Sequence, residues 1–129
     1  MNLITVSCKG GLEVDVRVRG HVVTSDMSPQ DGGQDAGPSP AELLAGSLGA
    51  CVAMMVQRYC ESHGYAGEVE VYLTPQLADD PKRISDIVID VELPSSVPED
   101  RRDAVLRVAQ RCLVHETLRH PPQVDIDIM

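Results

Sequence analysis

Between Leu43 and Val56 the chain reads Leu-Leu-Ala-Gly-Ser-Leu-Gly-Ala-Cys-Val-Ala-Met-Met-Val, a run that is apolar on nearly every side of a helix. Before it, Ser39-Pro40-Ala41-Glu42 has the capping-box arrangement with Pro at the first helical position, and Gly64 after His63 has the character of a helix stop. The spacing predicts one helix of about six turns between them. A chain of 129 residues can rarely surround such a helix completely. The pattern therefore predicts burial against a second subunit, in a homodimer, as well as against the chain's own sheet. Gly46 and Gly49 would let another backbone come close. The uncharged stretch from Leu43 to Gln57, about fifteen residues, falls short of the roughly 20 that span a bilayer, so no membrane is expected.

The segments around this helix alternate with a period of two. Ile4, Val6 and Cys8, then Leu12, Val14, Val16 and Val18, read as a hairpin about Lys9-Gly10-Gly11, with His21 to Asp26 continuing past Gly20. Met27 to Pro38 is a long Gly- and Pro-rich loop, of the kind that is functional or mobile in small domains. Val69, Val71 and Leu73, and then Ile87, Ile89, Val91 and Leu93, predict two longer strands linked around Asp79-Asp80-Pro81. Ser96-Val97-Pro98-Glu99 starts a second helix, on which Val105, Val108, Ala109 and Cys112 share one face, and Val124, Ile126 and Ile128 alternate with Asp125 and Asp127 in a closing strand. This order is α+β, antiparallel strands carrying two helices, in a single domain over residues 1–129.

Charge narrows the partners. Eleven Lys and Arg stand against twenty Asp and Glu, a formal charge of -9 that repels phosphate backbones and anionic surfaces, and three Tyr with no Phe or Trp leave few platforms for base stacking. Nucleic acid is a poor partner for such a chain, and none is expected. The N-terminus, Met-Asn-Leu-Ile-Thr-Val-Ser-Cys, has neither the basic start nor the apolar block of a secretory signal, so a cytoplasmic location with reduced thiols is expected.

Chemistry then centres on Cys8, Cys51, Cys60 and Cys112. Cys51 falls midway along the first helix and Cys112 near the end of the second. Two thiols on facing helices can form a reversible disulfide if their Cα atoms approach within about 7 Å, but both also fit as ordinary buried cysteines. Cys60-Glu61-Ser62-His63 and Cys112-Leu113-Val114-His115 each place a thiol and an imidazole on one helix face, a set that would suit tetrahedral zinc, although neither pair sits on the usual glycine-flanked turn. His21 and His120 read as exposed. Arg17 and Arg19 fit either a solvated charged face or a cation that lowers a thiol pKa, and the capping box alone accounts for Glu42.

Gly32-Gly33-Gln34-Asp35-Ala36-Gly37-Pro38-Ser39-Pro40-Ala41-Glu42-Leu43-Leu44, continued by Leu48-Gly49-Ala50-Cys51-Val52-Ala53, resembles the loop-helix signature of the OsmC/Ohr family of thiol peroxidases. Ala109-Gln110-Arg111-Cys112-Leu113-Val114-His115-Glu116-Thr117-Leu118 is similar to its second cysteine segment, and Arg19-Gly20-His21 and Ser62-His63-Gly64-Tyr65 extend the likeness over an OsmC-like branch. The resemblance implies an intertwined homodimer with antiparallel sheets wrapped around two central helices. It also implies reduction of organic hydroperoxides without a cofactor or metal: Cys51 attacks the O–O bond and becomes a sulfenic acid, Cys112 condenses with it, and a dithiol or lipoylated protein restores both thiols. An Arg and a Glu that hold the thiolate in the hydroperoxide-resistance branch correspond to Arg19, with Arg17 as the other choice, and to Glu42, one residue past the family position occupied by Ala41.

Three functions compete at this level. They are a two-cysteine peroxidase for hydroperoxides with apolar tails, a dimeric module binding an apolar small molecule, and a zinc-stabilised structural dimer. In the first, attack by Cys51 and resolution by Cys112 are expected, on the ground that a helix C-terminus beside Cys112 disfavours a thiolate there.

Overall fold

Arg19 and Gly20 take consecutive left-handed conformations, φ 50° and 83°. This is the two-residue hairpin geometry that matches strand twist. In the computed structural model, which describes residues 1–129, this turn and the Lys9–Glu13 turn join Thr5–Cys8 (β1), Val14–Val18 (β2) and His21–Ser25 (β3) into an antiparallel sheet of that order. The chain divides into two compact units, Met1–Leu44 and Ala45–Met129, and the sheet belongs to the first.

The long loop that follows β3 is tied down by one carboxylate. Asp26, only 2% exposed, accepts backbone hydrogen bonds from Met27 at 2.8 Å and from Gln34 and Ala36 at 3.1 Å each. Asp35 N–H closes back on the Met27 carbonyl at 3.0 Å. Gly33 sits where a Cβ would collide with the Met27 carbonyl and approach Asp26 Oδ1 to 2.6 Å, so nothing larger fits. These bonds hold the Asp26 carboxyl below the usual carboxylate range, those from Ala36 and Met27 contributing most.

Helix α1 runs over Pro40–Ser62. Its capping box forms as the sequence requires: Ser39 Oγ accepts from Glu42 N–H at 3.2 Å, and Glu42 Oε1 accepts from Ser39 N–H at 2.9 Å. One stripe of α1, comprising Ala45, Leu48, Gly49, Val52, Val56 and Cys60, is buried. In the second unit this stripe meets the hairpin of β4 (Glu70–Ala78) and β5 (Arg83–Glu92), whose inner face carries Val71, Leu73, Ile87, Ile89 and Val91. Leu73 presses its methyl groups onto Gly49, where a Cβ would collide with them. Gln57 fastens the α1–β4 connection by donating to the Gly67 carbonyl and accepting from Val69 N–H.

The opposite face of α1 is open, with Gly46, Ala50 and Met54 exposed, Met54 to 69%. By length and composition α1 alone would suffice to cross a bilayer. It nevertheless carries Glu42, Arg58 and Glu61 and gives its other face to the core.

Two elements differ from expectation. The second helix is not continuous: a 3-10 turn at Glu99–Arg101 leads into α2 (Arg102–Ala109), and a separate α3 (Leu113–Arg119) starts from Cys112. Cys112 leaves the helical region at φ -65° and ψ 140°, yet Val105, Ala109 and Cys112 all still enter the core. The closing strand does not form. Residues 121–129 have no regular structure, and Val124, Ile126 and Ile128 are exposed, because an alternating segment becomes a strand only when another strand lies beside it.

Candidate active site

Cys51 projects from α1 at the margin of the buried stripe, half-buried and packed against the core. Cys112 comes from the break between α2 and α3 and is wholly buried in the same cluster. Both are free thiols, packed in one core cluster and close enough for each to perturb the other's ionisation. Cys112 Sγ in turn accepts from His115 N–H at 3.2 Å, capping α3.

These contacts separate the two thiols electrostatically. Burial pushes the Cys51 pKa up, but the hydrogen bonds from Cys112, Val114 and Leu113 outweigh it, and the thiol lies below its ordinary value. Cys112 moves the other way. Burial raises it first, and donating its proton to Cys51 raises it further, against the backbone N–H groups of His115 and Val114. Of the pair, Cys51 ionises first and Cys112 keeps its proton. The expected location of Cys112 beside a helix C-terminus is thus corrected: it stands at an N-terminus, because the chain breaks before it.

The other candidate residues have their own local settings. Arg19 is exposed at the β2–β3 turn of the first unit. Arg17 pairs with the buried Asp15 at 2.9 Å, a carboxylate that also faces Lys9 at 3.5 Å. The Glu42 carboxylate is engaged by Ser39 at the start of α1, and hydrogen bonding from Ser39 lowers its pKa. Cys60 lies deep in the core with its pKa raised by burial, whereas Cys8 is exposed on β1. His63 stacks on Tyr59 at 4.0 Å between ring centroids. No three His, Cys, Asp or Glu side chains gather in an arrangement that could hold a metal ion, so the two Cys-x-x-His pairs do not converge. Grooves of about 340 and 420 Å³ in the second unit run between β5 and α2 and along the Met54 face of α1, and neither is lined by a reactive thiol.

The residues missed at the level of sequence are Leu113 and Val114. They act through main-chain N–H groups, which side-chain chemistry does not announce, and a helix start directly after Cys112 would have been the only signal.

The profile of the OsmC-like protein family matches residues 32–127, a span that includes both thiols. The chain belongs to the OsmC-like family. No curated protein matches the sequence. Among solved structures, this OsmC-like chain is similar to a Psychrobacter arcticus protein provisionally assigned to an osmotic-stress-induced detoxification response, with a TM-score of 0.82 and 20% identity over 91% of this chain and 88% of that one. An OsmC-like protein from Mycoplasma pneumoniae gives a TM-score of 0.79 and 16% identity over 94% and 89%. An organic hydroperoxide resistance protein from Legionella pneumophila gives 0.64 and 15% over 92% and 89%. At these identities the likeness establishes the α+β fold, in which antiparallel sheets accompany the long helix.

Proposed function

We propose that this OsmC-like protein is a thiol peroxidase for organic hydroperoxides. The observation that carries the reading is the packing of the Cys51 and Cys112 thiols in one cluster, where hydrogen bonding from Cys112 and from the Val114 and Leu113 main chain lowers the Cys51 pKa. In the proposed reaction the Cys51 thiolate attacks the terminal oxygen of R–O–O–H. The O–O bond breaks, the alkoxide takes a proton and leaves as ROH, and Cys51 becomes a sulfenic acid. The Cys112 sulfur then attacks the sulfenic sulfur, water leaves, and a disulfide joins the two residues. A dithiol, free or as a lipoyl group on a protein, returns both to thiols in a reducing compartment such as the cytoplasm. The aliphatic surroundings of Cys51, with Val52, Met55 and Val114 in the same cluster, suit an alkyl hydroperoxide better than hydrogen peroxide.

The working unit in this reading is a homodimer. Leu44 and Met54 expose large apolar surfaces on α1, and Gly46 and Ala50 leave room between them for a second helix. Arg19 and Glu42 remain candidates for holding the thiolate or the peroxide in that assembly.

Mass spectrometry of the reduced protein before and after one equivalent of cumene hydroperoxide tests the reaction. A Cys51–Cys112 disulfide with release of cumyl alcohol is the expected result. Unchanged thiols with peroxide left intact would sink the enzyme and favour a dimeric module that binds an apolar molecule.

A further inference from the structure

Apart from Arg19 at its turn, the cations of this acidic chain stand among carboxylates everywhere but around Cys112. Lys9 and Arg17 face Asp15, Arg58 shares a helix face with Glu61, Lys82 and Arg83 follow Asp79 and Asp80, and Arg101 and Arg102 are set between Glu99, Asp100 and Asp103. From Ala104 to His120 the balance reverses. The one carboxylate there is Glu116, which already takes Arg119 at 3.6 Å and His120 at 3.4 Å. Arg107 and Arg111 are exposed and enter no ion pair.

Apolar surface lies with these two arginines. Leu106, one residue before Arg107, is 56% exposed, and Leu113, directly after Cys112, is 71% exposed. Leu106 also lines the groove of about 340 Å³ between β5 and α2, opposite Ile89, Val91 and Leu93, and the two carboxylates of that groove, Asp90 and Asp103, share it with Arg102. Exposed leucines rimmed by unpaired arginines are the composition of a protein-docking surface. None of these residues belongs to the face of α1 assigned above to the dimer.

We propose that Leu106, Arg107, Arg111 and Leu113 form a docking surface for an acidic protein that brings a dithiol to the Cys51–Cys112 disulfide. That the surface serves reduction rests on the peroxidase reading. The preference for an acidic partner rests only on the placement of charge. The formal charge of -9 repels such a partner at long range, but charges farther apart than about 8 Å are largely screened at physiological salt, so the local cations decide where it settles. Once it is docked, one thiolate of the dithiol attacks Cys51 Sγ, the sulfur that keeps some access to solvent. The S–S bond breaks, and Cys112 leaves as thiolate and takes a proton. The second thiol of the dithiol, deprotonated, then displaces Cys51 from the mixed disulfide, so the protein is reduced and the dithiol departs as its own disulfide.

Reduction rates of the full chain test the docking surface, with the Cys51–Cys112 disulfide made by diamide so that the outcome does not depend on peroxide chemistry. The reductants are a Cys-Gly-Pro-Cys dithiol peptide flanked by glutamates, the same peptide flanked by lysines, and dithiothreitol, and alkylation with mass spectrometry reads the thiols released. Net charge alone makes the lysine peptide the faster one. The docking surface reverses the order: at low salt the glutamate peptide should be faster by at least about tenfold, the lower end of the range for steered association, and high salt should abolish the difference. Arg107→Gln combined with Arg111→Gln should remove the preference while dithiothreitol reduces both proteins at the same rate. A lysine peptide as fast as the glutamate peptide would overturn the proposal, as would a preference that survives in the double variant, a double variant slowed equally towards dithiothreitol, or failure of diamide to join the two sulfurs. If the preference holds but cumene hydroperoxide leaves the thiols unchanged, the docking surface stands and the peroxidase reading falls.

Discussion

Gly46 and Gly49 lie three residues apart on α1, and replacing each with alanine separates the protomer's own packing from the proposed dimer. At Gly49 the added Cβ would run into the Leu73 methyl groups, whereas at Gly46 nothing lies within 4 Å. Both substitutions gain helix propensity, worth about 1 kcal/mol for Gly to Ala in a helix interior. At Gly49 that gain is set against overpacking, which typically costs about 1–3 kcal/mol, so Gly49→Ala should be neutral to destabilising by up to about 2 kcal/mol. For an isolated protomer Gly46→Ala should instead stabilise by about 1 kcal/mol. If α1 packs on a second α1 through this face, the new methyl is met in both subunits at once and the sign reverses, with a net cost of up to about 2 kcal/mol per subunit. Urea unfolding at several protein concentrations, with sedimentation equilibrium alongside, reads both effects. The dimer reading requires Gly46→Ala to weaken association and lower the concentration-dependent unfolding midpoint. A Gly46→Ala protein that is more stable than wild type and associates no differently would refute the reasoning.

Two further predictions concern buried polar contacts. Because the Asp26 pKa lies below its unfolded value, its contribution to stability is fully present above that unfolded value, roughly 3.9, and is lost as pH falls through the folded one. Asp26→Asn should therefore be less stable than wild type at neutral pH, and the gap in urea midpoints should narrow below about pH 3.9; a gap independent of pH would show that the carboxylate charge is not what orders residues 27–38. Cys112→Ser and Cys112→Ala should both react once with hydroperoxide and then accumulate sulfinic acid at Cys51, but the alanine protein loses the cap and the donor together. It should be less stable than the serine protein by about 1 kcal/mol and its Cys51 should alkylate more slowly at neutral pH, so equal alkylation rates would show that donation from residue 112 does not support the thiolate.

Elements governed by local periodicity are legible in the amino-acid sequence itself. The capping box at Ser39 and Glu42, the hairpins on either side of Lys9 and Asp80, and the apolar spacing of α1 each carry their own signal within a few residues. Three features are not. The break before Cys112 leaves Val105, Ala109 and Cys112 facing the core, so their spacing is the same for one helix or two. Val124 to Ile128 alternates as a strand should, but strand formation depends on a neighbouring edge that a single segment does not encode. The order of the Met27–Pro38 loop comes from one carboxylate reaching backbone up to ten residues away, which has no period. For the site, the pairing of Cys51 with Cys112 is what family resemblance implies, while the burial and the Leu113 and Val114 main-chain groups that help to differentiate the two thiols have no side-chain signature.

That differentiation is the feature on which the proposed chemistry would depend, and it arises from competition rather than from helix position alone. An N-terminal helix position would by itself favour a thiolate at Cys112, by about 0.3–1 kcal/mol in an ordinary setting. Complete burial opposes it more strongly, since a thiolate there would lose its water. Cys51 keeps partial access to solvent, and hydrogen bonding from Cys112, Val114 and Leu113 favours its charged form. Together these exceed its own smaller desolvation cost. The anion therefore settles on Cys51, although the helix start belongs to Cys112. The same break in the chain that makes Cys112 a cap also frees the Leu113 and Val114 N–H groups that help to lower the Cys51 pKa, so in the proposed peroxidase one local departure from helix would both protect the resolving thiol and prepare the attacking one.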